Sequence, residues 1–220
     1  SSDLQDLGYT AVRFKTDGQP PEVNLTGVDD DGAYKGPVTA TLVRSDDVDT
    51  EIYAYARTKD GQRFKTKTFS EEGKYSVELV GMDWVSKSAP AKTVNFIIDR
   101  TPPTIGVLDP KAGALKDGGL AASSKVTVKG EDINGSGVVE ITLTGVGSVK
   151  SFPFSREPVV SADFDGLTDG DYTATVKDAA GNSRSKSFTI KGVVAPAVTI
   201  TITSVVGNGL NSGTNSFSAN

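Results

Sequence analysis

Val94-Asn-Phe96-Ile-Ile-Asp99-Arg-Thr-Pro102-Pro103-Thr-Ile105 repeats, position by position, a phrase already written as Val12-Arg-Phe14-Lys-Thr-Asp17-Gly-Gln-Pro20-Pro21-Glu-Val23. Both follow V-x-F-x-x-D-x-x-P-P-x-(V/I), and a looser copy runs Phe188-Thr-Ile190-Lys-Gly-Val-Val-Ala-Pro196-Ala-Val198. Recurrence at that interval marks a tandem array rather than one enclosed domain. In each full copy an alternating strand (Val12/Phe14, Val94/Phe96) meets a diproline that cannot donate to a sheet ladder. Alternation then resumes at Val23-Asn-Leu25 or Ile105-Gly-Val107. The phrase is a junction where one module ends and the next begins.

Working outward, residues 18–100 and 101–193 are expected to be two complete modules, each of a size that buries its own core. Residues 1–17 read as the last strand of a preceding module or an N-terminal extension, and 194–220 as the start of a further module or a C-terminal tail. The lack of an initiator Met and of a signal segment fits a piece of a longer precursor, and no apolar run is long enough to span a membrane.

With 24 Gly, 10 Pro and no sustained 3.6-residue apolar period, the chain is expected to be all-β. Candidate strands in the first module are Pro37–Val43, Thr50–Arg57, Arg63–Thr68, Lys74–Val80 and Lys92–Ile98. In the second they are Lys125–Lys129, Val138–Thr144, Tyr172–Lys177 and Ser185–Ile190. Short strands at this spacing predict a β-sandwich. Tyr75 and Tyr172 each open a late strand after a Gly-Lys or Gly-Asp turn. Each either anchors its hydroxyl to nearby backbone, as in an Ig-like tyrosine corner, or is a half-buried strand aromatic.

The absence of Cys and His removes disulfides, Cys or His zinc sites, Ser-His-Asp triads and thiol nucleophiles. A net charge of −5, with 23 scattered basic residues, argues against a nucleic-acid partner, which needs a clustered basic face.

Asp31-Gly-Ala-Tyr34-Lys-Gly36-Pro37-Val38-Thr-Ala-Thr-Leu42, followed by Gly73-Lys-Tyr75 and Asp83, resembles the Ig-like repeats of bacterial surface and secreted proteins. Gly170-Asp-Tyr172-Thr-Ala-Thr-Val176-Lys-Asp178-Ala-Ala-Gly181-Asn182 resembles their late-strand motif, and Asp99-Arg-Thr-Pro-Pro103 their linker. The resemblance covers nearly the whole chain. It implies tandem Ig-like β-sandwiches joined by short Pro-Pro linkers, serving as stalks and spacers in adhesins, S-layer proteins and cell-wall-anchored proteins, or as accessory domains beside secreted hydrolases. The first module departs from the motif, having Met82-Asp83-Trp84-Val85-Ser86 where the second has Lys177-Asp178-Ala-Ala-Gly181-Asn182.

The acidic loops carry the chemistry. In an Ig-like sandwich the loop after the second strand and the loop before the last strand share one end, where the chain also enters. That brings together Asp99, Glu131, Asp132 and Asn134, and Asp178 with Asn182. In the first module it brings together Asp17, Asp46-Asp47-Val-Asp49 and Asp83. Hard oxygen ligands in flexible loops suit an interdomain calcium ion, for which Asp99, Glu131, Asp132, Asn134 and Asp178 are the candidate metal ligands. The alternative is turn chemistry, since Asp and Asn bond neighbouring backbone and tolerate left-handed conformations. The run Asp163-Phe-Asp165-Gly-Leu-Thr-Asp169-Gly-Asp171 reads as a solvated approach to a hairpin.

No catalytic or cofactor-binding residue is assigned. Paired carboxylates abound, yet a glycosidase cleft needs aromatic walls and the chain has one Trp. Alternation with Asp83 outward would turn Met82 and Trp84 into the core; the other reading leaves Trp84 exposed for a partner. A face carrying Tyr53 and Tyr55 either binds glycan or completes a sheet. An intramolecular isopeptide bond would need Lys125 or Lys129 beside Asn95 in an apolar setting.

The reading is a rod-like pair of sandwiches acting as a non-enzymatic structural spacer or assembly module of a bacterial extracellular surface or secreted protein. Its expected partners are neighbouring Ig-like modules of the same or an identical chain, and cell-wall glycan or host protein, with no nucleic acid. The rival readings are an adhesin module that binds glycan or protein, and an accessory region of a secreted hydrolase. A strand at Tyr9–Lys15 or Val198–Val205 could also add to a sheet edge of another molecule.

Overall fold

The structure, a computed structural model, describes residues 17–46 and 52–193. Asp47, Asp49, the start of the strand expected from Thr50, and the terminal strands at Tyr9–Lys15 and Val198–Val205 lie outside the described residues. Every regular element described is a strand, and no helix is long and apolar enough to cross a membrane.

The first sandwich is built from β1 (Glu22–Thr26), β2 (Gly32–Tyr34), β3 (Val38–Ser45), β4 (Tyr53–Thr58), β5 (Arg63–Phe64), β6 (Thr66–Phe69), β7 (Gly73–Met82) and β8 (Lys92–Ile98). One sheet has the order β1-β3-β6 and the other β2-β8-β7-β4-β5. β2 runs parallel to β8, pairing Gly32 with Phe96, while β7 and β8 pair antiparallel from Gly73↔Ile98 to Leu79↔Lys92. Inward positions alternate along β8, where Val94, Phe96 and Ile98 are buried between exposed Thr93 and Asn95. They close a core with Ala40, Ala54, Ala56, Phe69, Val77 and Leu79.

The second sandwich repeats the plan with β9 (Thr104–Asp109), β10 (Gly113–Ala114), β11 (Gly119–Ala121), β12 (Val126–Glu131), β13 (Val138–Gly145), β14 (Ser148–Glu157), β15 (Val159–Phe164), β16 (Gly170–Asp178) and β17 (Ser183–Ile190). Its sheets are ordered β10-β9-β12-β15 and β11-β17-β16-β13-β14, with β11 parallel to β17. Two sheets of this strand order, in which the first strand crosses to lie parallel to the last, make each unit an Ig-like sandwich. The chain is all-β.

Both tyrosines are corner residues. The Tyr75 hydroxyl donates to Glu71 O at 2.7 Å, and that of Tyr172 to Thr168 O at 3.0 Å. Their rings stack on Phe96 at 5.2 Å and Phe188 at 5.6 Å. A hydrogen bond of this kind is worth about 1 kcal/mol net, and it pins the turn that leads into β7 or β16.

Strands β14 and β15 were not legible in the sequence. Pro153 within Phe152-Pro153-Phe154 reads as a breaker, but β14 is an edge strand, where a missing N–H does no harm. In β15 the alternation Val160, Ala162, Phe164 is fully inward, and Asp163 faces out to Lys125 at 3.0 Å and Thr127. The run from Asp163 therefore begins inside a strand, not in a loop.

The Asp109 carboxylate holds the crossing of the second sandwich together. One oxygen accepts the N–H groups of Lys111 and Ala112, the other those of Ala122 and Ser123. Asp109 is 1% exposed. Burial pushes its carboxyl up, but the four N–H donors outweigh burial and hold it below the ordinary carboxylate value.

Candidate functional site: two carboxylate triads

The chain divides into two compact units, the first running to Pro102 and taking in the loops Asp132–Gly137 and Asp178–Asn182. Asp99, Asp132 and Asp178 fall within that first unit, as do Asp17, Asp46 and Asp83, whereas Glu131 belongs to the second. One carboxylate oxygen each from Asp99, Asp132 and Asp178 lies within 4.8 Å of the others, and the same holds for Asp17, Asp46 and Asp83.

Each carboxylate of the Asp99 triad is positioned by its local chain. Asp99 follows the last residue of β8, and its carboxylate accepts Thr101 N at 3.1 Å and Ser136 N at 2.7 Å. Asp132 follows β12 and accepts Gly137 N at 2.7 Å. Asp178 ends β16 and accepts Asn182 N at 2.8 Å and Asn182 Nδ2 at 2.9 Å. Asn134 turns the Asp132–Gly137 loop with φ 69°. The turn reading is thus present in the hydrogen bonds, and convergence is present as well; neither displaces the other.

Burial sets the electrostatics. Asp99, Asp132 and Asp178 are 1%, 7% and 0% exposed, and no Lys or Arg forms an ion pair with them among the described residues. Burial pushes the Asp132 carboxyl up; the Gly137 N–H opposes this, and the charges of Asp99 and Asp178 add to it. Burial likewise pushes Asp178 up, against its bonds from Asn182 and with the charge of Asp99. Three such groups repel one another unless a cation or proton intervenes. Two oxygens on opposite sides of calcium, each about 2.4 Å away, stand about 4.8 Å apart, so the spacing accommodates that ion.

Not every expected ligand joins the triad. Glu131 is the last residue of β12 and pairs with Lys129. Asn134 is exposed at its turn. Asn182, buried to 1%, takes the place expected of Asn134: its Nδ2 also donates to Asp99 O at 2.9 Å, while its Oδ1 is buried without a partner. The signal was in the sequence, because Asn182 closes the Asp178-Ala-Ala-Gly181-Asn182 motif.

In the first sandwich Asp83 continues the inward row Val77, Leu79, Gly81 of β7 and is 4% exposed. Met82 and Trp84 therefore face out, at 38% and 78% exposure, correcting the expectation that they point into the core. The phase of β7 is set by Gly81, whose Cα packs so close to Val23 that a Cβ would stand 2.2 Å from its Cγ2. Asp17 Oδ2 and Asp83 Oδ2 are buried without hydrogen-bond partners.

The remaining candidates are not brought together. Lys125 pairs with Asp163 and Asp165, and Lys129 with Glu131, while Asn95 N donates to Asp30. A surface depression of about 400 Å³ on the first sandwich is lined by Arg57, Thr58, Ser76, Glu78 and Thr93; its carboxylate, Glu78, is tied to Arg57.

Fold and site together define a chain of two successive Ig-like β-sandwiches carrying two carboxylate triads, of which that of Asp99, Asp132 and Asp178 is wholly buried. No family model and no curated protein matches it. Among solved structures it is similar to the fibronectin(III)-like modules of CbhA from Clostridium thermocellum, at 12% identity over 77% of this chain and 93% of that one, TM-score 0.42. It is also similar to the D00-D0 domain of intimin, at 12% identity over 76% and 98%, TM-score 0.32. A third is the Yersinia pseudotuberculosis adhesin InvE, at 10% identity over 80% and 61%, TM-score 0.34. The Ig-like assignment rests on the sheet orders given above.

Proposed function

We propose that this chain is a non-enzymatic structural spacer of a bacterial extracellular surface protein, and that calcium held by Asp99, Asp132 and Asp178 stabilises its folded form. The observation that carries the calcium reading is the convergence of three buried carboxylates that form no ion pair with Lys or Arg among the described residues. Such a group is costly unless a cation is shared among its oxygens. Hard carboxylate ligands with no Cys or His favour calcium over softer metals. A bound ion would tie the end of β8 to the loops Asp132–Gly137 and Asp178–Asn182, stretches far apart in sequence.

The test is thermal unfolding with calcium at about 1 mM and with chelator. Ligand that binds the native state alone adds about 2.7 kcal/mol at a hundredfold excess over Kd, which corresponds to a rise in Tm on the order of 10 °C. Identical melting in both conditions sinks the calcium part of the proposal.

A second reading, an adhesin module for glycan or protein, draws on Tyr53 at 58% and Trp84 at 78% exposure, with Arg63 lying 4.2 Å over the Tyr55 ring. It predicts retention on immobilised cell-wall polysaccharide that falls at least tenfold in Tyr53→Ala/Trp84→Ala; retention unaffected by that pair removes it.

A further inference from the structure

The two triads share a turn whose fifth residue carries a charge in one and none in the other. Asp83-Trp84-Val85-Ser86-Lys87 and Asp178-Ala179-Ala180-Gly181-Asn182 form the same five-residue turn. Asp83 N donates to Lys87 O at 3.0 Å, as Asp178 N does to Asn182 O at 3.0 Å. Ser86 N and Gly181 N each donate to the carbonyl of the leading Asp at 3.2 Å. Lys87 N reaches Asp83 Oδ1 at 2.7 Å, and Asn182 N reaches Asp178 Oδ1 at 2.8 Å. Both fourth residues take a positive φ, 67° at Ser86 and 89° at Gly181.

The side chains of the fifth residues also act alike. Asn182 Nδ2 donates to the backbone O of Asp99, and Lys87 Nζ donates to the backbone O of Asp17. Asp17 and Asp99 occupy the same place in the repeated phrase. A neutral carboxamide in one triad is thus an ammonium in the other, with Lys87 Nζ also 4.0 Å from Asp17 Oδ1. The Asp17 side chain is 2% exposed, and its Oδ2 and that of Asp83 have no hydrogen-bond partner.

We infer that Lys87 is a built-in cation at the Asp17, Asp46 and Asp83 triad, which weakens that triad's hold on a divalent cation, while the Asp99, Asp132 and Asp178 triad, with Asn182 in the same place, binds one strongly. The inference rests on the calcium reading above and adds a selectivity residue to it. The ammonium, beside Asp17, offsets one of three negative charges and repels a divalent ion approaching that carboxylate. Asn182 offers no charge, and the second triad keeps its full attraction.

The experiment is calorimetric titration of the chelator-stripped 220-residue chain with calcium chloride, comparing the parent with Lys87→Asn, Lys87→Asn/Asp83→Asn and Asn182→Lys. The expected result is one strong site in the parent and two in Lys87→Asn. The added site is lost again when Asp83 is also changed, and in Asn182→Lys the affinity of the remaining site falls at least tenfold. Unfolding in chelator checks that each variant folds, and Lys87→Gln replaces Lys87→Asn if that variant does not. Two sites of equal affinity in the parent overturn the inference and leave the calcium reading standing. One site in both the parent and Lys87→Asn also overturns it. No site in any variant overturns the calcium reading itself.

Discussion

Asp109→Ala is expected to destabilise the second sandwich by about 3 to 5 kcal/mol, because it strips four N–H groups of their charged acceptor at once. The loss exceeds that of an ordinary hydrogen bond because the donors of Lys111, Ala112, Ala122 and Ser123 lie around a carboxylate that is 1% exposed. Asp109→Asn should recover little, since its amide group would face two donors with two more hydrogens. The same carboxylate makes the fold acid-sensitive. Its folded pKa is depressed, so its contribution is fully present above the unfolded value of about 3.9 and is lost as pH falls through the lower folded value. Urea unfolding at pH 7 and pH 3 reads both effects. A loss under about 1 kcal/mol in Asp109→Ala at pH 7 would show that the clamp is dispensable.

Asp178→Asn is expected to abolish the calcium-induced stabilisation of about 2.7 kcal/mol, whereas in chelator the relief of one buried charge offsets the loss of one acceptor for the Asn182 donors and leaves stability near that of the parent. The substitution keeps the shape of the side chain but removes one of three mutually repelling buried charges, which relieves the metal-free triad and takes away a ligand oxygen. Asp132→Asn should behave alike. Asp163→Asn is the control, because Asp163 is exposed and bound to Lys125 and Thr127, and it should leave the calcium response intact. Differential scanning fluorimetry in calcium and in chelator decides the matter. A full calcium response in Asp178→Asn would place the ion elsewhere.

The repeated Pro-Pro phrase, the Gly and Pro content, the lack of a 3.6-residue period and the spacing of short strands were together sufficient to read an all-β chain of sandwiches, and the expected β8 has the bounds Lys92–Ile98 of the observed strand. This follows because period-2 alternation and the absence of an N–H on proline act locally and need no partner strand to be recognised. The acidic loops were legible for the same reason as far as residue type went, since turn chemistry also acts locally.

Only the tertiary structure decided which acids converge. Glu131, one residue before Asp132, stays with Lys129, whereas Asn182 enters the site in place of Asn134. A strand reverses its side chains at every residue, so a shift of one position moves a carboxylate from a buried cluster to solvent. The same limit explains Trp84: alternation with Asp83 outward would have buried it, but the close approach of Gly81 to Val23 fits the opposite phase of β7, with Asp83 inward. The equivalence of Lys87 with Asn182 was beyond the sequence as well, because it is carried by a shared turn geometry and by contacts to Asp17 and Asp99, residues far away along the chain. Residue identities determined the modules and their chemistry; packing between distant strands determined where each charge lies.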